Sequence, residues 1–153
     1  MSSFWRHAFR LQYRVLAWLD PIIRAFWKRY GIGVTVELRV ARRKGGQPRS
    51  RLVGLLRVAD REYVGHPNGD VGWTRDLTAA GSATIVWPNG DDVDVEATRL
   101  EPSAERTAAI KGTTQQPFPG NVIYRLARRH ILRTGVYFRL EPPTDPSALP
   151  VDA

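Results

Sequence analysis

The sequence predicts a mainly β fold of the α+β class, a small antiparallel β-barrel of about six strands with flanking helices. Three observations support this prediction. Short runs of alternating apolar and polar residues recur along the chain, and two of them flank a hairpin turn. These runs do not alternate with helices as βαβ units do. The 153 residues suffice for one domain to bury a core without a disulfide or metal.

The first thirty residues form an amphipathic helical segment, because apolar and aromatic residues recur there every three or four positions among arginines. Asp20 followed by Pro21 is typical of a helix start, since Asp favours the cap and Pro the first helical position. We therefore predict two helices, at about 3–19 and 21–30. The longest uncharged stretch of this segment, 15–19, is far too short to span a bilayer.

The periodicity then changes from helical to extended, and the Pro-Asn-Gly-Asp sequence between two strand-like runs predicts a hairpin. Gly81 is expected to end one or two helical turns. Strands are predicted at about 34–40, 51–58, 62–65, 83–87, 92–98 and 136–140, and further helices at 102–111 and 121–133. The predicted organisation is a helical segment at 1–30, a barrel domain at 31–142 and a flexible tail at 143–153.

The charge of the chain is unevenly distributed. Residues 1–51 carry twelve Lys and Arg against two acids, which gives +10, whereas residues 52–153 carry eleven against thirteen, which gives −2. This location favours a localised anion- or membrane-facing surface over a nucleic-acid coat, and no nucleic-acid recognition motif is present. The chain has no cysteine and its three histidines lack a paired spacing, so we predict no metal site.

The first candidate binding element is the loop over 41–50, in which four cations surround two glycines between two predicted strands. Glycines let backbone N–H groups approach an anion, and the arginine fork matches phosphate oxygens. The alternative is a solvated hairpin whose charges keep a sheet edge from pairing. The four cations are Arg42, Arg43, Lys44 and Arg49.

The second candidate element is the turn-rich stretch HPNGDVGWTRDL over 66–77. A Trp in a glycine-rich loop before a short helix can form one wall of a pocket for a flat ligand. Trp73 could equally cover the end of the barrel.

Together the two elements resemble the deazaflavin-dependent nitroreductase family, split β-barrel oxidoreductases that bind coenzyme F-420. The family's phosphate loop, Gly-Arg-Lys-Ser-Gly-x-x-Arg, is similar to RKGGQPR at 43–49. Its second motif, a glycine-rich turn followed by Pro-x-Trp-x-x-Asn-Leu, is similar to GDVGWTRDLTAA at 69–80. The resemblance covers about residues 34–140. It differs at Gly45, where the family has Ser, at Gly72, where it has Pro, and at Asp76, where it has Asn.

The resemblance implies hydride transfer from reduced deazaflavin to a lipophilic acceptor such as a quinone, an enone or a nitroaromatic, with the protein mainly orienting the pair. An ionised Asp76 only accepts hydrogen bonds, and its charge would oppose an anionic cofactor unless Arg75 or a loop cation neutralised it. The implied cofactor-binding residues are Arg43, Lys44, Gly45, Gly46 and Arg49 at the phosphate, and Gly65, His66, Pro67, Trp73 and Asp76 along the ring.

Three side chains are candidates for catalysis. His66 could donate a proton to the reduced product, because its ordinary pKa lies near neutrality. Tyr124 and Tyr137 fall in the C-terminal region that shapes substrate pockets in the resembled family. The alternatives are that His66 packs or hydrogen-bonds within its own turn and that the tyrosines only satisfy a buried hydrogen bond. FMN as the cofactor, a non-catalytic cofactor- or lipid-binding protein and a homodimer also remain open.

The N-terminal segment has three interpretations. It could pack on the barrel with its cations in water, lie in a lipid interface, or roof a hydrophobic substrate pocket. We predict a cytoplasmic protein, which in the second case would be peripheral on the inner face of the plasma membrane. The cations expected near anionic head groups are Arg6, Arg10, Arg14, Arg24, Lys28 and Arg29.

Overall fold

A computed structural model describes residues 2–31, 35–115 and 118–144. Within them, seven antiparallel strands form one sheet and five α-helices flank it. The strands are β1 (Thr35–Val40), β2 (Arg49–Gly54), β3 (Leu56–Val58), β4 (Arg61–His66), β5 (Ser82–Val86), β6 (Asp92–Arg99) and β7 (Val136–Glu141). The helices are α1 (Ser2–Tyr30), α2 (Gly72–Ala80), α3 (Ala104–Lys111), α4 (Gly120–Leu126) and α5 (Arg128–Thr134), with a 3-10 turn at Gly112–Gln115.

The sheet curls because two strands that are neighbours in sequence occupy its opposite edges. The strand order is β2-β1-β5-β6-β7-β4-β3, and only Leu55 separates β2 from β3. A flat seven-stranded sheet would hold these edges far apart, so the sheet must close on itself. The closed-up sheet is consistent with a split barrel. The antiparallel sheet with its flanking helices confirms the α+β class.

The predicted count of about six strands is wrong, because the run predicted at 51–58 is two strands. β2 pairs with β1, and after Leu55 the chain leaves that partner and β3 pairs with β4. Val53, Leu55 and Leu56 are all buried, so the apolar run continues through the corner. The sequence pattern consequently carries no sign of the division.

The N-terminal segment is one helix, so the predicted division at Asp20-Pro21 is also wrong. Pro21 removes one backbone donor but lies inside α1. The Asp20 carboxylate does not start a new helix; it accepts a hydrogen bond from Arg24 Nε at 2.6 Å. Arg24 also donates to Glu37 on β1 at 3.0 Å, which fastens the middle of α1 to the sheet.

α1 packs against the barrel through residues near both of its ends. Phe9 is 0% exposed and Trp27 is 1% exposed, and Trp27 Nε1 donates to the Thr35 carbonyl oxygen at 2.8 Å. Phe9 belongs to a second core between α1, α3, α5 and the sheet, with members that include Tyr63, Ile110, Ile131 and Tyr137. The barrel interior is a separate core that includes Val36, Leu38, Val64, Leu77, Ile85 and Phe138.

The remaining predicted elements agree with the structure except at one helix. The hairpin joins β5 to β6, and Gly81 ends α2 with a φ of 68°. The helix predicted at 121–133 is two helices that meet at Ala127. This residue is fully buried, and neither Gly nor Pro adjoins it.

Some predictions fall on residues that the structure does not describe. The expected strand start at residue 34 and the tail from residue 145 onward lie outside the described ranges. Thr144, the last described residue, donates from its backbone N–H and its hydroxyl to the Glu96 carboxylate, at 2.9 and 3.2 Å. Across the described ranges, no helix combines the length and the apolar character that crossing a bilayer requires.

Candidate functional site

The loop between β1 and β2 is open to solvent. Gly45 and Gly46 have φ values of 74° and 87°, which favour glycine, and beyond the adjacent residues no described atom lies within 4 Å of where a Cβ would stand on either. Lys44 is exposed on the same loop. The backbone here is therefore accessible to a ligand.

Asp76 on α2 joins two cations of this loop. Its Oδ1 accepts hydrogen bonds from the Arg43 backbone N–H at 3.3 Å and from Arg43 Nε at 2.9 Å, and its Oδ2 accepts from Arg49 Nε at 2.8 Å. Asp76 is only 3% exposed. The hydrogen bond from Arg43 and then that from Arg49 lower the pKa of Asp76 to about 2, so the carboxylate is ionised at neutral pH.

This cluster resolves the conflict that the sequence posed at Asp76. The carboxylate does not stand as a lone negative charge beside an anionic ligand, because two arginines offset it. The neutralising groups are Arg43 and Arg49 of the loop. Arg75, the other candidate, is exposed on α2 and forms no ion pair with Asp76.

Gly72, which replaces the family's Pro, lies against Arg49. A Cβ on Gly72 would stand 3.1 Å from each of Cζ, Nη1 and Nη2 of Arg49. Three equal distances mean that the flat face of the guanidinium group lies over the glycine. A Cβ or a proline ring at this position would require the Arg49 guanidinium group to shift.

Trp73 faces the barrel core rather than solvent. It is buried, and its ring centroid lies 6.4 Å from that of Phe138. These contacts are those of a residue that covers the barrel interior. A role for Trp73 beside a flat ligand stays a prediction.

Tyr137 lies flat between two glycines. Gly65 is opposite Tyr137 in the pairing of β4 with β7, and a Cβ there would overlap the tyrosine ring. A Cβ on Gly135 would stand 2.8 Å from Tyr137 Cε2. Gly65 therefore makes room for the ring, and burial raises the pKa of Tyr137 well above its usual value.

A residue of α1 completes this aromatic group. The Tyr13 hydroxyl lies 3.4 Å from the Tyr124 hydroxyl, and the Tyr13 ring centroid lies 4.8 Å from that of His66. Burial raises the pKa of both tyrosines. Tyr13 was not predicted as a site residue. It is 111 residues from Tyr124 in the chain, and only its place in the apolar periodicity of α1 hinted at a contact.

His66 is buried and bonded within its own turn. Its Nδ1 lies 3.1 Å from the Gly69 carbonyl oxygen and 3.3 Å from the Asn68 backbone nitrogen. Burial lowers the pKa of His66 to about 4, so the ring is neutral at pH 7. Pro67, next in the chain, is also buried and accepts a hydrogen bond from Thr134 at 2.9 Å.

His130 on α5 is a further residue of this region that sequence reasoning missed. Its Nε2 lies 2.9 Å from Asn68 Oδ1, and its ring lies 6.1 Å from that of Phe9. Burial, and then the nearby Arg6 and Arg133, lower its pKa. A lone histidine in an apolar helix pattern gave no sign of this position.

The structure thus separates the predicted site residues into two groups. Arg43, Arg49 and Asp76 form one group, and His66, Tyr124 and Tyr137 lie in an aromatic group beneath α1. Among the described residues, no hydrogen bond or ring contact joins the two groups. The turn after β4 and helix α2 connect them along the chain.

The outer face of α1 carries a stripe of exposed apolar side chains, which we call the α1 stripe. Its members follow helical spacing, so they share one face, and Trp18 at 82% exposed is the most open. The α1 stripe consists of Phe4, Leu11, Val15, Trp18, Ile22 and Phe26.

Comparison with known proteins gives similarity in structure only. No protein-family model matches the chain, and no curated protein matches it. The chain is similar to HutZ, a heme storage protein from Vibrio cholerae, with 18% identity over 83% of this chain and 92% of that chain, and a TM-score of 0.54. It is also similar to a pyridoxamine 5'-phosphate oxidase-related FMN-binding protein from Nostoc punctiforme, with 13% identity over 82% and 80% of the two chains and a TM-score of 0.51.

The chain has the fold of these two proteins. One further similarity is to an F-420 reductase, with 13% identity over 74% of this chain and 89% of that one, but its TM-score of 0.45 is too low to support an argument. At such identities the comparisons show the fold alone.

Proposed function

We propose that this protein binds a flavin-type cofactor by its phosphate at the β1–β2 loop and transfers hydride to a lipophilic acceptor. Coenzyme F-420 is the cofactor that the sequence motifs favour, and FMN is the alternative. The observation that carries the proposal is the pairing of Arg43 and Arg49 on Asp76, which gathers two arginines at one end of an open glycine loop.

The groups of this loop fit a phosphate. Of the guanidinium nitrogens, Asp76 engages only Nε of each arginine, and no described residue accepts a hydrogen bond from their terminal nitrogens. Lys44 and Arg42 add two exposed cations, and the two glycines expose their backbone. Planar guanidinium groups with free terminal N–H groups are suited to phosphate oxygens.

The aromatic group beneath α1 supplies neutral hydrogen-bond donors for the acceptor. Tyr13, Tyr124 and Tyr137 are neutral at pH 7, as tyrosines ordinarily are, and burial raises the pKa of each further. The reduced cofactor, when bound, supplies the hydride. A quinone, an enone or a nitro group also needs a proton, and His66 would give one only if a bound anion raised its pKa from about 4.

Side-by-side titration of the protein with F-420 and with FMN tests the proposal. Tryptophan fluorescence and cofactor absorbance report the binding. Arg43→Ala, Lys44→Ala and Arg49→Ala should each raise the Kd at least tenfold, since each removes a charged donor. Arg61→Ala, an exposed arginine on β4, is the matched control. The proposal is wrong if neither cofactor binds at high micromolar concentration.

Turnover then separates an enzyme from a binding protein. Oxidation of the bound reduced cofactor by members of a quinone and nitroaromatic panel is expected. Binding without oxidation by any member would instead favour a non-catalytic cofactor-binding protein. A yellow preparation absorbing near 450 nm would indicate FMN, since deazaflavins absorb at shorter wavelength.

We also propose that the α1 stripe binds an anionic membrane surface. The first thirty residues contain six cations and one acid, and Asp20, the acid, is paired with Arg24. An exposed apolar stripe with flanking arginines is typical of helices that lie in the lipid interface. On this proposal the protein is peripheral on the inner face of the plasma membrane.

Vesicle sedimentation tests the membrane proposal. Vesicles with phosphatidylglycerol should bind the protein and shift Trp18 emission to shorter wavelength, whereas phosphatidylcholine vesicles should bind it weakly. Replacing Trp18 and Ile22 by Ser should abolish binding, because it removes the centre of the stripe. A homodimer in lipid-free solution that buries Trp18 would contradict the proposal.

A further inference from the structure

We infer that Gly72 and Asp76 act together as positioning residues that seat Arg49, and with it Arg43, around a single phosphate group. The inference deepens the proposed function and rests on it for the identity of the whole ligand. Both residues differ from the pattern of the resembled family.

The position of Asp76 allows its carboxylate to align Arg43 and Arg49. It does not place the carboxylate where the phosphate would bind these arginines. The carboxylate is buried, and both oxygens are engaged by Nε atoms. The Arg43 backbone N–H adds a third hydrogen bond, which fixes the loop as well as the side chain. A phosphate could not replace a carboxylate held inside the protein in this way.

The chemistry of the guanidinium group then decides which atoms a ligand meets. The Nε–H group lies in the guanidinium plane and points out from one edge of it. The two terminal nitrogens carry the four other N–H groups. With Nε held by Asp76, the terminal nitrogens of Arg43 and Arg49 have no acceptor among the described residues. The carboxylate thus orients both forks without using the groups that bind phosphate oxygens.

Gly72 and Asp76 are four residues apart on α2 and therefore lie on the same side of the helix. Asp76 holds the Nε edge of Arg49, and Gly72 lies under its flat face, where a Cβ would stand 3.1 Å from the guanidinium atoms. An edge contact and a face contact together fix the plane of the guanidinium group. The two sequence departures thus form one coupled seat for Arg49.

The cluster keeps a net positive charge for an anion such as phosphate. Arg43 and Arg49 with the Asp76 carboxylate carry a net +1, and the exposed Arg42 and Lys44 of the same loop raise this to +3. Both guanidinium groups contact the Asp76 carboxylate. If its negative charge were removed, the two positive groups would repel each other and move apart. Asp76→Asn should therefore weaken phosphate binding even though it raises the positive charge of the loop.

The test measures the binding of two probes, inorganic phosphate and F-420, to the full chain. Phosphate binding is followed by the shift in melting temperature over a concentration series at constant ionic strength, and F-420 binding by tryptophan fluorescence. Asp76→Asn should raise both dissociation constants at least tenfold. Gly72→Ala should raise them at least threefold, because a Cβ there would displace the Arg49 guanidinium group from its seat, and the melting temperature of each variant without ligand shows whether it is folded.

Asp70→Asn is the matched control, since Asp70 pairs with Arg99 just before α2 but touches neither loop arginine. Unchanged or tighter binding of both probes by Asp76→Asn and Gly72→Ala would overturn the inference. Tighter binding would mean that Asp76 competes with the anion. If Asp76→Asn fails to fold, Gly72→Ala alone decides.

The failure of the inference is distinguishable from the failure of the proposed function. If the native chain binds phosphate but neither F-420 nor FMN, and both variants lose phosphate binding, the inference stands and the proposed function fails. If the native chain and both variants bind F-420 equally, the proposed function stands and the inference fails. If the native chain binds none of the three, both fail.

Discussion

At residue 76 the chain carries a carboxylate where the resembled family carries an amide, and the two groups differ in their acceptor atoms. An Asn has one acceptor oxygen, whereas an ionised Asp has two. Only a carboxylate can therefore accept from Arg43 Nε and Arg49 Nε through separate oxygens. From the sequence, Asp76 looked like an obstacle to an anionic ligand; its place between two arginines removes that objection.

Asp76 should also make the stability of the protein depend on pH. Its folded-state pKa of about 2 lies below the roughly 3.9 of an unfolded chain, so its contribution is present above pH 4 and lost as the pH falls towards 2. After allowance for the exposure of Arg43, we expect about 1–2 kcal/mol. Urea unfolding at pH 7 should show Asp76→Asn less stable by this amount, and the difference should shrink below pH 4 and be lost as the pH falls through about 2. A difference independent of pH would contradict this assignment.

Gly65 should be intolerant of any side chain. A Cβ there would overlap the Tyr137 ring, so Gly65→Ala should cost about 2–3 kcal/mol of unfolding free energy. In a Tyr137→Ala background the same substitution should cost less than about 1 kcal/mol, because the overlapping ring is gone. Denaturant melts of the four proteins of this cycle measure the coupling; additive effects would exclude the ring as the cause.

The sequence predicted that a residue belongs to the site where a short local motif contains that residue. Arg43, Arg49 and Asp76 belong to two short motifs, and the structure brings these three together. Tyr13 was out of reach, because its contacts with His66 and Tyr124 depend on how α1 docks on the sheet. No periodicity or spacing encodes that docking.

At the scale of elements, α1 has two faces with different surroundings. One face, through Phe9 and Trp27, completes the core, and the α1 stripe faces solvent. The interpretations of this segment as a packed helix and as a membrane-facing helix are therefore compatible. Removal of the first thirty residues should destabilise the fold as well as change its surface.

Two aromatic substitutions on α1 should separate these roles. Phe9→Ala should cost about 3–4 kcal/mol of unfolding free energy, because it leaves a cavity in a fully buried site. Trp18→Ala should change stability by less than about 0.5 kcal/mol, because the indole is 82% exposed. Chemical denaturation of both variants checks the contrast; a large loss for Trp18→Ala would mean that the stripe is covered by a partner chain.

Element boundaries show where sequence patterns stop being informative. Alternation and turn residues predicted the strands and the hairpin, because those features are local. The division of 51–58 and the continuity of α1 through Pro21 depend on partners elsewhere in the chain. β3 is a separate strand because β4 is its partner, and α1 continues because its packed residues lie on both sides of Pro21.

Over the whole molecule, the basic charge lies on two neighbouring parts of the fold. Residues 106–140 contain seven Lys and Arg and no acid, although residues 52–153 together carry −2. α4 and α5 belong to this stretch, and they contact α1 through Tyr124 and His130 against Phe9. The basic surface that the sequence assigned to the first third therefore extends onto the C-terminal helices.

Membrane binding should accordingly depend on α4 and α5 as well as on α1. Replacing exposed Arg125 and Arg129 by Ala should weaken binding to phosphatidylglycerol vesicles about fivefold per residue, since each cation near an anionic surface contributes about 1 kcal/mol. The same changes at exposed Arg57 and Arg61, on β3 and β4, should have little effect. Equal losses at both pairs would indicate attraction by net charge alone.

The place of β7 in the sheet has a consequence for how the chain is made. β7 is the last of the seven strands to be synthesised, yet it lies between β6 and β4, and it pairs Val136 with His66 about 70 residues earlier. Such distant pairing is slow to form. Until residue 141 has left the ribosome, β4 and β6 each lack a neighbour on one side, and the apolar residues meant for both cores stay in water. We therefore expect the growing chain to be prone to aggregation until β7 has been made.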